Sequence, residues 1–131
     1  MEYSVQHASA YFVVTASGKA SIDGFTKLSD ALHTHPDWVP GTAVLFNLLK
    51  LDFSDLDRYG IDDLVELGIK DKQRRGAPRI AILVGDDLAY GLTNMWISLS
   101  SELQGEARIF RLPSEALDWL SNPTDNSQTA S

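Results

Sequence analysis

The sequence predicts a mixed α/β domain whose mostly parallel sheet begins with a β-hairpin and continues through crossover helices. Two apolar runs, 41–49 and 79–85, are typical of strands that are covered on both faces. Segments with helical spacing of apolar residues separate these runs from each other and from a shorter one at 107–112. The predicted order is therefore ββαβαβαβα, with right-handed connections between parallel strands.

The first half of the chain supplies a hairpin, a helix and a buried strand. Segments 3–7 and 11–16 are rich in β-branched and aromatic residues, which favours two paired strands. Ser21 is placed to cap a helix that ends before Pro36. The inner face of that helix is predicted to carry Ile22, Phe25, Leu28 and Leu32. A third strand follows at 41–49.

The second half repeats the alternation of helix and strand. A helix is predicted from about Arg58 to Arg74 and is stopped by Gly76 and Pro78. Its buried stripe is predicted to contain Ile61, Leu64, Val65 and Gly68. After the strand at 79–85, a helix is expected from Asp87 to about Leu103. The predicted inner face of this helix carries Leu88, Leu92, Met95, Leu99 and Leu103.

The chain ends in a fifth strand, a short helix that Pro113 initiates, and a polar segment. Residues 1–121 are expected to form one domain, and residues 122–131 a flexible polar tail. No internal repeat or linker is visible.

Composition excludes several classes of function. The chain has 131 residues and no cysteine, so disulfides, thiol catalysis and thiolate metal sites are excluded. A net charge of −7 disfavours nucleic acid as a partner, and no apolar run is long enough for stable membrane insertion. The beginning of the sequence, MEYSVQHASA, does not support a secretory signal, so a cytoplasmic protein is expected.

Three segments carry a resemblance to a known family. They are SGKASIDGF, VGDDLAYGLTNMW and RIFRLPSEALDWL. With the order of elements, they resemble the STAS-like domains of the anti-sigma-factor antagonist (SpoIIAA-like) superfamily over nearly the whole folded chain. The resemblance implies a SpoIIAA-like fold and points to a branch without an assigned function.

The best-known branch of that superfamily is a phospho-switch, and this sequence departs from its motif. In those proteins a strand ends in Asp-Leu, and an Asp-Ser-Ser-Gly motif carries the phosphorylated serine. Here Asn47 stands in place of the aspartate. If Asp55 matches the aspartate of the later motif, Leu56 occupies the position of the serine and cannot accept phosphate. A shift of the alignment that makes Ser54 the phosphorylated residue is the alternative. The resemblance therefore implies a binding module that lacks the switch residue.

Ligands of parallel sheets tend to lie beyond the carboxyl ends of the strands, and this edge is predicted to be acidic. The carboxylates expected there belong to Asp52, Asp55, Asp57, Asp86 and Asp87. They have the chemistry of a Mg²⁺ site, but aspartates are also favoured at helix starts, which they stabilise by about 0.3–1 kcal/mol. We interpret Asp86 as a cap and predict neither a metal nor a cofactor.

Two other motifs are interpreted as having a structural role. His33 and His35 are two positions apart on a helix and face different sides, unlike i, i+4 metal ligands, so they are interpreted as a helix end. The basic residues between 70 and 79 are interpreted as a solvated helix terminus. The alternative is a local basic patch for an acidic partner or a phospholipid headgroup.

The third predicted helix has a second stripe, formed by Tyr90, Asn94, Ile97 and Ser101. Either the last helix covers this side through Trp119 and Leu120, or the stripe contacts another subunit. The sequence leaves both alternatives open.

The function favoured by these patterns is a non-enzymatic regulatory or protein-interaction module that acts by surface docking. Homodimer formation through the stripe on the third helix is expected, and the identity of any other protein partner does not follow from the sequence. The alternative is a small-ligand or lipid-binding domain with its pocket at the carboxyl ends of the strands. That pocket is predicted to use Ser21, Asn47, Phe53, Asp86 and Tyr90. No catalytic residue is predicted.

Overall fold

The computed structural model describes residues 1–100 and 105–121, which form five strands and five helices. The strands are β1 (Glu2–Ala8), β2 (Tyr11–Lys19), β3 (Ala43–Asp52), β4 (Arg79–Val84) and β5 (Glu106–Phe110). The helices are α1 (Ile22–His33), α2 (Arg58–Lys70), α3 (Lys72–Arg75), α4 (Asp87–Leu99) and α5 (Pro113–Ser121). The predicted class and alternation are confirmed. The predictions for Ser101, Leu103 and the polar tail fall outside the described residues.

The five strands form one sheet in the order β1-β2-β3-β4-β5. β1 and β2 pair antiparallel as a hairpin, and the other neighbouring strands pair in parallel. Each crossover joins a strand to its neighbour in the same direction, so right-handed connections place α1, α2 and α4 on one face of the sheet. None of the described helices is long and apolar enough to cross a membrane.

The alternation of residues along β4 divides the interior into two cores. Ile80, Ile82 and Val84 belong to the larger core, under α1, α2 and α4. Ala81 and Leu83 point to the opposite face and pack with Trp119 and other residues of α5. The sheet is therefore covered on both faces, as its continuous apolar strands predict.

Three helices begin with a side-chain cap. Ser21, Asp57 and Asp86 accept hydrogen bonds from the backbone N–H groups of Gly24, Gly60 and Ala89 at 3.0, 2.9 and 2.8 Å. The predicted capping roles of Ser21 and Asp86 are confirmed. Each cap fixes the point at which the chain leaves a strand and turns back over the sheet.

The helix predicted to run unbroken from Arg58 to Arg74 is interrupted at Asp71. α2 ends at Lys70 and α3 begins at Lys72. The backbone N–H of Asp71 still bonds to the carbonyl of Leu67, but its side chain is drawn into the interior. The periodicity of apolar residues does not predict this break, because the sequence does not distinguish a buried aspartate from an exposed one.

The predicted inner face of α4 is correct at Leu92, which packs against the larger core, and wrong at Leu88 and Leu99, which are 50% and 40% exposed. The residues buried deepest are Ala89 and Thr93. The helix is therefore rotated about its axis relative to the predicted face. Apolar residues occur around most of its circumference, so their spacing does not fix this rotation.

α5 lies on the face of the sheet opposite to α4. Trp119 and Leu120 therefore pack under the sheet and not against the outer side of α4. The alternative in which α5 covers that side is wrong, because the crossover that forms α4 and the helix that follows β5 leave the sheet in opposite directions.

The loop before β3 holds α3 in place. The indole Nε1 of Trp38 donates to the carbonyl of Arg74 at 2.7 Å, and the N–H of Gly41 donates to the carbonyl of Arg75 at 2.8 Å. The next residue, Gly76, has a φ of +72°, and a Cβ there would lie 2.6 Å from the nitrogen of Gly41. Close approach of the two loops therefore requires glycine at position 76.

We predict that Gly76→Ala lowers the free energy of unfolding by about 2–4 kcal/mol, since it combines a left-handed backbone with a clash. Gly41→Ala is the matched control: its φ is +93°, but no atom lies within 4 Å of the added Cβ. It should cost only the backbone strain, about 1–2 kcal/mol. Urea denaturation of both variants checks the prediction, and equal losses would contradict it.

Candidate functional site

The larger core contains a cavity of about 150 Å³ between the sheet and helices α1, α2 and α4. It is partly open to solvent, and its walls are almost entirely apolar. The apolar side chains of the walls belong to Phe25, Leu28, Leu32, Trp38, Val44, Phe46, Leu48, Phe53, Ile61, Leu64, Leu67, Ile80, Ile82, Leu92 and Trp96. Such walls favour an apolar occupant.

Four of the five polar side chains in the walls lie together at one end. They are Ser29, His33, Asp71 and Arg75, whereas Thr93 lies on α4. α1 starts at the carboxyl end of β2 and returns over the sheet, so its last residue, His33, lies at the amino ends of the strands. Asp71 and Arg75 reach the same edge just before β4. We call these four residues the polar end of the cavity.

Asp71 is the centre of the polar end, and its side chain is only 8% exposed. It accepts a short hydrogen bond from the hydroxyl of Ser29 and another from the Nη2 of Arg74 at 2.6 Å. Arg74 also donates from its Nη1 to Asp30 at 2.9 Å. Burial raises the pKa of Asp71, but these hydrogen bonds outweigh it and hold the pKa below its usual range. The carboxylate is therefore ionised at neutral pH.

His33 presents its two ring nitrogens to different surroundings. Its side chain is 4% exposed, and Nδ1 lies 3.3 Å from the Oγ of Ser29 and 3.9 Å from Oδ2 of Asp71. Its Nε2 is buried and has no hydrogen-bond partner among the described residues. Burial lowers the pKa of His33, although the charge of Asp71 opposes the effect. The imidazole is therefore neutral at pH 7.

Arg75 forms the other side of the polar end. Its Nη1 donates to the carbonyl of Gly68 at 2.9 Å, which holds the guanidinium against the last turn of α2. Its Nη2 is buried and has no hydrogen-bond partner within the described part of the chain. Burial lowers the pKa of Arg75, but the group stays charged at neutral pH.

Serine, histidine and aspartate meet here, but not in the arrangement of a hydrolase triad. In a triad, the carboxylate orients the imidazole through one nitrogen while the other nitrogen takes the proton of the nucleophile. Here the hydroxyl of Ser29 donates directly to Asp71, and both groups lie on the Nδ1 side of His33. The imidazole does not activate Ser29, so the geometry favours binding over hydrolysis.

Of the five residues predicted to form a pocket at the carboxyl ends of the strands, only Phe53 lines the cavity. Ser21 and Asp86 are helix caps. The side chain of Asn47 accepts from the N–H of Leu49 at 3.2 Å, and Tyr90 lies 42% exposed with the Arg111 guanidinium 5.2 Å from its ring. Their binding role stays a prediction, and the polar end of the cavity lies at the opposite edge of the sheet.

The described residues of the stripe predicted as an interface differ in exposure. Tyr90 and Asn94 are exposed on α4, whereas Ile97 is partly buried and packs against the larger core. A role in self-association stays a prediction for this stripe. The exposed apolar surface of α4 also includes Leu88 and Leu99.

The acidic side chains at the carboxyl ends of the strands have local partners. Asp52 accepts from the backbone N–H of Ser54, which holds its pKa below the usual range. Asp55 pairs with Lys19 at 3.2 Å, and Asp87 with Arg111 at 2.7 Å. Within residues 1–100 and 105–121, no group of three or more possible ligands is arranged to hold a metal ion.

The basic residues predicted to form a solvated helix terminus lie in three different surroundings. Lys70 and Lys72 are exposed, but Arg74 and Arg75 belong to the network around Asp71. Arg79 lies on the other face of the sheet, where its guanidinium is 4.1 Å from the centre of the Trp119 ring. The segment is therefore not one continuous basic patch.

Sequence reasoning missed the polar end. A signal was present in α1, since Ser29 and His33 are i, i+4 neighbours and His33 directly follows the buried Leu32. No local signal marks Asp71 as their partner, because it is 42 residues from Ser29 in the chain.

We predict that acidification from pH 7 to pH 5 destabilises the protein in part through His33. Its pKa in the folded state lies below the ordinary 6.5, so the unfolded chain takes up a proton first and stability falls as pH falls. One such proton changes the free energy of unfolding by at most about 1.4 kcal/mol per pH unit.

Urea denaturation across this range checks the prediction with His33→Gln, which should show a shallower loss of stability than wild type. His35→Gln is the control, because His35 lies outside the cavity walls. A pH dependence that His33→Gln leaves unchanged would contradict it.

A comparison with solved structures shows the fold. The chain matches the crystal structure of an uncharacterised DUF3478-family protein with a SpoIIAA-like fold, from Shewanella loihica PV-4, with a TM-score of 0.59 and 22% identity. The match covers 91% of this chain and 92% of that chain. No protein-family model and no curated protein matches the sequence. The likeness therefore establishes that this chain has a SpoIIAA-like α/β fold.

Proposed function

We propose that the protein is a non-enzymatic binding module whose cavity holds a small ligand with an apolar body. The observation that supports this is the cavity of about 150 Å³ with almost entirely apolar walls. An engineered apolar cavity of about this size in another protein stays dry and binds benzene. The ligand would enter between the helices and lie on the face of the sheet, under α2 and α4.

The energetics of burial support the same proposal. Transfer of apolar surface from water to an apolar environment is favourable by about 25 cal/mol per Å². A ligand that binds the folded protein and not the unfolded chain raises the free energy of unfolding, so binding should raise the stability of the protein.

Toluene tests the cavity directly. We expect it to raise the melting temperature of the wild type and to change its tryptophan fluorescence, since Trp38 and Trp96 line the cavity. Leu92→Phe places a larger side chain at the cavity wall and should weaken toluene binding at least tenfold. Leu88→Phe, one turn earlier on α4 and 50% exposed, is the matched control and should bind toluene like the wild type.

Calorimetric titration measures the affinities. A wild type whose melting temperature and fluorescence do not respond to toluene would contradict the proposal. So would equal binding by Leu92→Phe and the wild type.

A second candidate function is surface docking through α4, including self-association into a homodimer. Its support is the exposed apolar surface of Leu88, Tyr90 and Leu99, which α5 does not cover. Exposed large apolar side chains are typical of protein interaction sites. The two candidates are compatible, since none of these three residues lines the cavity.

We predict that the wild type sediments as a dimer and that Leu88→Glu sediments as a monomer, because a charge at an apolar interface is costly to desolvate. Leu88 suits this test better than the partly buried Ile97, whose replacement would disturb the core. Tyr59→Glu on α2, where the side chain is 78% exposed, is the control. A monomeric wild type at all concentrations would remove the dimer hypothesis.

A further inference from the structure

We propose that the polar end of the cavity recognises a neutral hydroxyl group, so that the ligand is an alcohol or a phenol with an apolar body. This inference rests on the proposed function of the cavity. The hydroxyl would donate its proton to Nε2 of His33 and accept a hydrogen bond from Nη2 of Arg75.

The hydroxyl of Ser29 has a single proton, and it goes to Asp71. The ionised carboxylate can only accept, and the two groups are in short hydrogen-bond contact. Towards His33, 3.3 Å away, the oxygen of Ser29 is therefore an acceptor, so Nδ1 carries the hydrogen of the neutral ring. Nε2 is left with a free lone pair and acts as an acceptor.

The two unpartnered atoms of the polar end therefore have opposite characters. Nε2 of His33 accepts, and Nη2 of Arg75 donates. Leaving such groups buried without partners is unfavourable, and both residues belong to the walls of the cavity. A single chemical group that satisfies both must donate and accept, as a hydroxyl does. A carboxylate only accepts, and an ammonium group only donates.

The charges of the network also favour a neutral group. Two guanidinium groups, of Arg74 and Arg75, stand with two carboxylates, of Asp30 and Asp71. Their charges balance, so an ionic head group would add an uncompensated charge to a largely buried site. Both unpartnered atoms are covered in the free protein, so binding requires the side chains around them to move.

The matched ligands for the test are toluene and p-cresol, which differ by one hydroxyl. In His33→Phe the ring remains but its nitrogens are lost, so p-cresol affinity should fall about five- to tenfold while toluene affinity stays within twofold. His35→Phe is the control, because His35 packs against Phe12 outside the cavity walls, and it should bind both ligands like the wild type. Calorimetric titration compares each of the two variants with the wild type for each of the two ligands.

Nitrogen NMR of the wild-type imidazoles tests the same inference without a variant in the site. Nε2 of His33 should give the signal of an unprotonated nitrogen, and p-cresol, but not toluene, should shift it. A protonated Nε2 in the free protein, or the same loss of affinity for both ligands in His33→Phe, would overturn the hydroxyl inference. Failure of both ligands to bind the wild type would instead overturn the proposed function.

Discussion

The buried carboxylate of Asp71 links α1 to the junction between α2 and α3. It stands at the break between α2 and α3, accepts from Ser29 on α1, and pairs with Arg74, which itself reaches Asp30 on α1. These contacts set the distance between α1 and the end of α2. A charge of this kind is stable in the interior only because every contact of the carboxylate comes from a donor.

The polar end of the cavity adjoins this arrangement. There, the network around Asp71 and the hydrogen bond from Trp38 to the carbonyl of Arg74 link α1, the end of α2 and the loop before β3. At the other edge of the sheet, side-chain caps mark where α1, α2 and α4 begin. The helices around the cavity therefore have polar contacts at their ends, whereas the cavity walls are apolar.

Features set by local sequence could be predicted, and those set by distant contacts could not. Ser21 and Asp86 are recognisable as caps, because a cap involves only the next three residues and the apolar pattern that follows. The strands 41–49 and 79–85 are recognisable for the same local reason. Asp71 and His33 are different, since their burial depends on α1 and α2 lying side by side. Their surroundings exist only in the folded chain.

α4 shows why apolar spacing alone misplaces a helix face. Leu88 and Leu92 are one turn apart and look equivalent in the sequence, yet Leu88 is half exposed and Leu92 lines the cavity. The helix is rotated so that Ala89 and Thr93 lie deepest. A helix with apolar residues around most of its circumference does not reveal from its sequence which side is inside. The rotation becomes visible only in the folded chain, where Leu92 forms part of a cavity wall and Leu88 and Leu99 are exposed.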